Sequence, residues 1–225
     1  MNILLDLDGT LTDPREGIVG CIKHALARLG EPCPPDESLE RFIGPPLAAA
    51  FAVLLGGDSP RIRDAIAAYR ERFATIGLFE NRLYPEIPGA LAALVERGHR
   101  LFIATSKPTI YAERIADHFG LRDFVGAVHG SELDGTRAGK PELIAEVLRF
   151  QGLPAAETVM VGDREHDVIG ARANGLLAIG ALWGYGSRDE LVAAGASALC
   201  ERPGDLAGAL ASLGAAAAGS CSPGA

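Results

Sequence analysis

No stretch of the sequence approaches the roughly 20 consecutive apolar residues of a bilayer span. The first residues lack the basic start and small-residue cleavage site of a secretory signal. The four cysteines, Cys21, Cys33, Cys200 and Cys221, form no Cys-x-x-Cys pair and have no histidine at zinc-binding spacing. They read as isolated thiols in a reducing compartment, so a cytoplasmic location is expected. His24, His99, His118, His129 and His166 also lack ligand spacing, and none is expected to hold a metal. Basic surface is scarce: 21 Lys and Arg stand against 29 Asp and Glu, a formal net charge of −8. The acidic residues are spread rather than blocked, which argues against nucleic acid or an anionic membrane as a partner.

What the 225 residues do contain is enough apolar material, 48%, to bury a substantial core. Much of it lies in short continuous runs: "NILLDLD" at the start, "RLFIATS" (100–106), "FVGAVHG" (124–130), "TVMVGD" (158–163) and "LLAIGAL" (176–182). Continuous rather than alternating apolarity suits strands covered on both faces. Helical stretches separate them. "PGALAALVERG" opens near Pro88 and stops at Gly98; "TIYAERIADHFG" is expected to use Thr109 as its N-cap and Gly120 as its stop. "KPELIAEVLRFQG" carries Pro141 in its first turn, and "SRDELVAAG" has a Ser-x-x-Glu capping box at Ser187 and Glu190. The alternation predicts an α/β protein: a Rossmann-like parallel sheet with helices on both faces.

The alternation breaks once. About 70 residues after the first strand hold no convincing strand and read as helices, with Ile18, Ile22, Ala25, Leu26 and Leu29 sharing one face. Residues 15–81 are therefore expected to form an inserted all-α subdomain. The core would comprise 1–14 and 82–213, with linkers near Asp13–Gly17 and Glu80–Pro85. Residues 214–225 are expected to be a disordered tail.

In an open parallel sheet, ligands bind beyond the carboxyl ends of the strands. Asp6 and Asp8 end the first run; Thr105, Ser106 and Lys107 end the second; Asp163 ends the fourth, with Asp167 one helical turn on; Lys140 follows the third. Taken singly, each has a plainer role as a cap, a turn residue or a solvated charge. Together they are harder to dismiss. Several carboxylates in one small volume repel one another. A hard divalent cation relieves that, and Mg²⁺ prefers a few carboxylates plus water and phosphate oxygens. Hydroxyls and a lysine beside it would cradle a phosphate.

These residues fall in four motifs, "DLDGTLTD", "IATSK", "GKPELI" and "VMVGDREHD", which resemble in order those of the haloacid dehalogenase superfamily of phosphatases. A helical insertion between the first and second resembles its helical-cap branch. "GPPL", "TSKPT", "GSELDGTR" and "WGYGS" are similar to the phosphoglycolate phosphatase-like group. Leu5 stands where an aromatic is common, and Glu86 where related chains often have Gly.

The resemblance implies phosphomonoester hydrolysis through an aspartyl-phosphate. Asp6 would be nucleophile and Asp8 general acid and base; Mg²⁺ would sit on Asp6, the Asp8 carbonyl and Asp163. Thr105, Lys140 and the amides of Ser106 and Gly9 would hold the phosphoryl oxygens, and Asp167 would orient Lys140 or a metal-bound water. The substrate is expected to be a small cytosolic phosphorylated metabolite. Phosphoglycolate comes first, with nucleoside monophosphates and sugar phosphates open and phosphosugar mutase as another enzyme reading. A phospho-receiver or a phosphate-binding module without turnover is the non-enzymatic alternative. The loop Gly44, Pro45 and Pro46 is the candidate for contact with the leaving group. Lys107, Arg15 and Arg82 keep undecided roles, structure being favoured for Lys107 and a surface place for the arginines. Trp183 and Tyr185 are expected in packing. Monomer and homodimer are both open.

Overall fold

The computed structural model describes residues 1–57 and 60–219. In chain order, β1 (Asn2–Leu5) and β2 (Thr12–Asp13) precede four helices, α1 (Arg15–Leu29), α2 (Asp36–Leu39), α3 (Leu47–Leu54) and α4 (Arg61–Arg72). A π-helical turn, Phe73–Gly77, then leads to β3 (Arg82–Leu83). The remainder alternates: α5 (Ile87–Glu96), β4 (Arg100–Pro108), α6 (Thr109–His118), β5 (Val125–Ser131), α7 (Lys140–Gln151), β6 (Thr158–Gly162), α8 (Glu165–Ala173), β7 (Leu177–Ala181), α9 (Arg188–Ala194), β8 (Ala198–Cys200) and α10 (Leu206–Gly219).

Six strands form one sheet in the order β5-β4-β1-β6-β7-β8, and every neighbouring pair is parallel. The strands are continuously apolar because both faces are covered. Ile3 and Leu5 of β1 join Leu101, Ile103, Val159 and Val161 beneath α5, α6 and α10. Leu4 points the other way, with Phe102 and Met160, onto α7, α8 and α9. Ile3, Leu4 and Leu5 are fully buried, contributing about 1.5–3 kcal/mol each by removal from water. From β1 the chain builds outward through β4 to β5. It then crosses to β6 and builds the other way, so the order reverses beside β1. That reversal opens a crevice at the carboxyl ends of β1, β4 and β6.

Between β2 and β3 the described residues form only helices. The two ends of this insertion are tied by an antiparallel ribbon that pairs Thr12 with Leu83 and Asp13 with Arg82. Helix α1 crosses the π-helical turn closely: a Cβ on Gly17 would lie 2.0 Å from the Gly77 carbonyl oxygen.

Some local expectations need correction. Thr109 is not the N-cap of α6. Pro108 occupies that position, and the Thr109 hydroxyl donates instead to the Ser131 carbonyl (3.2 Å), joining the ends of β4 and β5. At α9, Ser187 Oγ accepts from the Glu190 amide as expected, but Glu190 turns its carboxylate to Arg164. Helix α10 continues as far as Gly219, into the stretch expected to be a tail; residues 220–225, Cys221 among them, lie outside the described residues. The other three cysteines are free thiols, with Cys21 and Cys200 buried and Cys33 exposed. Among the described residues, no helix is long and apolar enough to cross a membrane.

Candidate active site

The loop after β1 winds on one carbonyl. The amides of Thr10, Leu11 and Thr12 all donate to Leu7 O, at 3.3, 2.9 and 2.9 Å. Asp6 leaves the strand with its amide on Val161 O (2.9 Å), anchored to β6. Gly9 has φ +86°, and a Cβ there would lie 2.2 Å from Asp163 Oδ2. Glycine is therefore required because the first loop and the β6 loop touch. The Gly9 amide, expected to hold a phosphoryl oxygen, instead donates to Thr12 O (2.7 Å) within its own loop.

Asp6, Asp8, Thr105, Lys140, Asp163 and Asp167 are all buried. Lys140, at the start of α7, is central. Its Nζ lies 2.9 Å from Ala104 O, 2.8 Å from Asp6 Oδ1 and 2.5 Å from Asp167 Oδ1. Burial pulls the pKa of this ammonium down, but Asp167 and Asp6 outweigh it and raise the pKa, so it stays protonated. Asp167, paired with Lys140, also caps α8 by accepting from the Arg164 amide (3.2 Å).

Asp163 accepts from Thr10 Oγ1 (3.3 Å) and the Tyr185 amide (2.8 Å). Burial, with Asp6 and Asp167 beside it, pushes its carboxyl well above the usual carboxylate range. Burial with the nearby Asp6 charge likewise lifts Asp167 to about 6, against the opposing pull of Lys140. Oxygens of Asp6, Asp163 and Asp167 all lie within 4.8 Å of one another. Three carboxyl groups share one ammonium, and hard oxygen donors of this kind suit Mg²⁺, whose charge would favour their ionised forms. Asp8, expected at the metal through its backbone, contributes no side-chain oxygen to this cluster; Asp167 does.

Asp8 turns elsewhere. Its Oδ2 pairs with Lys107 Nζ at 2.7 Å, while Oδ1 is buried with no hydrogen-bond partner. Burial raises the Asp8 pKa, partly countered by Lys107. Thr105 Oγ1 accepts from the Lys107 amide (3.3 Å), and the Ser106 carbonyl accepts from Ser131 Oγ (2.8 Å).

A cavity of about 750 Å³ opens from Asp8 between core and insertion. Ser106 and Lys107 line it from the core and Gly44, Pro45 and Pro46 from the insertion, together with Phe42, Arg63, Tyr69, Arg70 and Phe73 of the insertion and Tyr111 of α6. The Gly44 loop is held from the core by Arg164, whose Nη1 donates to Ile43 O (2.8 Å) and whose Nε donates to Glu190 (2.8 Å). Arg15 and Arg82 point away, paired with Glu40 (2.5 Å) and Asp13 (2.7 Å).

Sequence reasoning undervalued four contributors. Lys107 shares a strand face with Thr105 two residues earlier, a spacing that could have revealed it. Arg164 carried no such signal. Trp183 and Tyr185 do more than pack. Trp183 Nε1 donates to Thr10 O (2.9 Å), and the Tyr185 hydroxyl donates to Asp13. The glycines around Tyr185 let this loop close over Asp163: a Cβ on Gly186 would fall 1.8 Å from Asp163 O.

A doubly covered parallel sheet with a strand-end nucleophile candidate, a buried lysine and an acidic cluster defines an α/β enzyme built for phosphoryl chemistry. The sequence model of the haloacid dehalogenase-like hydrolases matches residues 3–181, and the chain belongs to that family. It is 53% identical over 190 residues to a 5'-nucleotidase of Pseudomonas aeruginosa, covering 84% of this chain and 86% of that one. It is 39% identical to the tyrosine-protein kinase PtkA of Mycobacterium tuberculosis, over 83% of this chain but only 64% of that protein. Phosphoglycolate phosphatases are also related, one at 30% identity. Among solved structures, a predicted phosphatase from Clostridium acetobutylicum superposes with a TM-score of 0.91 at 37% identity, covering 94% of this chain and 98% of that one. The protein is a phosphatase of this family.

Proposed function

We propose that the protein is a Mg²⁺-dependent phosphomonoesterase that works through an aspartyl-phosphate on Asp6, with a nucleoside monophosphate as the favoured substrate class. The observation that carries the chemistry is the division of labour between two buried carboxylates two residues apart. Asp6 is held by Lys140 and Asp8 by Lys107.

Asp6 attacks phosphorus in line, forming a carboxylate O–P bond as the bond to the leaving oxygen breaks. Asp8 gives that oxygen its proton, then takes one from the water that attacks the phosphoryl group, which returns Asp6 to its carboxylate and releases phosphate. Lys140, kept protonated, fixes the nucleophile, while Thr105 and Ser106 lie at the end of β4 for the equatorial oxygens. Asp6, Asp163 and Asp167 would hold Mg²⁺, the Asp8 carbonyl completing the set; bound there, it neutralises developing phosphoryl charge. The helical insertion, residues 15–81, acts as a cap over the leaving group.

The cavity bears on substrate. A two-carbon acid such as glycolate would leave most of its roughly 750 Å³ to water, and the walls, which include Arg63 and Arg70, offer several aromatic faces. A nucleoside fills such a space and stacks on such faces. The related 5'-nucleotidase points the same way. We read the protein as cytoplasmic, in keeping with its free thiols. The test is kcat/KM across nucleoside 5'-monophosphates, phosphoglycolate and sugar phosphates. Nucleotides are expected to lead by at least about tenfold, equal to about 1.4 kcal/mol. Phosphoglycolate in front would refute the substrate class and leave the chemistry standing.

A further inference from the structure

We propose that Lys107 is a positioning residue that selects Oδ1 of Asp8 as the proton-carrying atom and makes that arrangement depend on the helical insertion. The proposal rests on the acid-base role given to Asp8 above.

A carboxylate has two equivalent oxygens, and a general acid delivers its proton usefully from only one. Here they are not equivalent. Oδ2 lies 2.7 Å from the Lys107 ammonium, whereas Oδ1 is buried and has no hydrogen-bond partner. A buried oxygen without a partner costs about 1–3 kcal/mol and persists where it serves a transient one. As the P–O bond to the leaving group breaks, the proton on Oδ1 passes to the leaving oxygen, and Oδ2 stays on the lysine throughout.

Lys107 is itself held from two sides. Its amide donates to Thr105 Oγ1 (3.3 Å), and a Cβ on Gly130 would lie 2.4 Å from its carbonyl oxygen, so β5 presses on its backbone. Its ammonium also sits 4.6 Å from the centroid of the Phe73 ring. Phe73 belongs to the π-helical turn that ends the insertion, stacked on Tyr69 (5.4 Å) and edge-on to Tyr111 (5.3 Å). One ammonium therefore joins the acid-base carboxylate of the core to an aromatic ring of the insertion. When that ring withdraws, Lys107 loses one of its two side-chain contacts and Asp8 its fixed orientation.

The test compares single-turnover phosphorylation by an alkyl ester (a nucleoside 5'-monophosphate) and an aryl ester (p-nitrophenyl phosphate), because only the alkyl leaving group needs the proton early. Asp8→Asn is expected to lose roughly a thousandfold on the alkyl ester and at least about tenfold less on the aryl one. Lys107→Met is expected to lose about 10–100-fold on the alkyl ester and under about threefold on the aryl ester. Combined with Asp8→Asn, it should cost less than about threefold more, because both changes act through one group. Equal losses on both esters, or additive losses in the double variant, would overturn the proposal. Equal losses in Asp8→Asn itself would instead overturn the acid-base reading beneath it. If Lys107→Met fails to fold, Phe73→Leu carries the test. An alkyl-selective loss of about 3–10-fold supports the link to the insertion, and a loss equal on the two esters refutes it.

Discussion

Replacing Lys140 by alanine should weaken the fold as well as the chemistry, and the size of the effect follows from its surroundings. The side chains of Lys140, Asp6 and Asp167 are 3, 5 and 2% exposed. Water therefore cannot take over the role of the ammonium. Removing one partner from a buried ion pair typically costs about 3–5 kcal/mol, because the remaining charge stays buried without compensation. Here two carboxylates lose their cation, beside a third at Asp163. In excess chelator the loss should reach that range, a shift of about 1–2 M in the urea midpoint for a slope near 2–3 kcal/mol/M. Saturating Mg²⁺ should return part of it, since an ion bound only by the folded state stabilises that state. Urea unfolding of both proteins, with chelator and with Mg²⁺, measures this. A loss below about 1 kcal/mol in chelator, or no difference between the two conditions, would refute the reasoning.

Other outcomes follow from the same geometry. Excess chelator should stop turnover, and Ca²⁺ should restore it poorly, because Ca²⁺ takes more ligands and tends to bind carboxylates through both oxygens. Steady-state rates with each ion check this. Pro45→Ala or Pro46→Ala should reorder substrates by kcat/KM, with shifts of about tenfold for nucleotides and smaller ones for p-nitrophenyl phosphate. Uniform slowing would make the loop structural only. Burial pushes the Asp13 carboxyl up, but hydrogen bonds from Tyr185, Arg82 and the Arg15 amide outweigh it and hold the pKa below its ordinary value. A depressed folded pKa adds stability above the unfolded value near 3.9, and that stability is lost as pH falls through the folded pKa. The stability gap between the natural protein and Asp13→Asn should therefore be full at pH 7 and close below about pH 4. A gap that widens on acidification would contradict the assignment.

Much of the fold was legible because burial on two faces writes continuous apolar runs, as in "NILL" and "TVMVG". Helix α1 was legible from the helical spacing of its apolar residues, whereas "LAAAFAVLL" (47–55) is itself a continuous apolar run and yet forms α3. Elements too short to carry a pattern were not legible. The three residues of β8 and the two-residue strands β2 and β3 are fixed by neighbours distant in sequence. The π-helical turn at Phe73–Gly77 follows α4 with no proline or glycine between them to mark the change. The meeting of Asp6, Lys140, Asp163 and Asp167 was legible because each follows a strand at the same edge of the sheet. Lys107 and Arg164 were not, because their meaning lies in what they touch: a carboxylate in one case, the carbonyls of a distant loop in the other. Thr109 misled because its hydroxyl had a better partner across the sheet.

Phosphorylation of Asp6 is measured by rapid acid quench during turnover of p-nitrophenyl phosphate, followed by mass analysis of peptides. A good leaving group lets the intermediate accumulate. A phosphoryl group is expected on the peptide containing Asp6. Asp6→Asn is expected to give none and to turn over at least about a thousandfold more slowly. A phosphoryl group on another residue, or near-normal turnover by Asp6→Asn, would contradict the role given to Asp6.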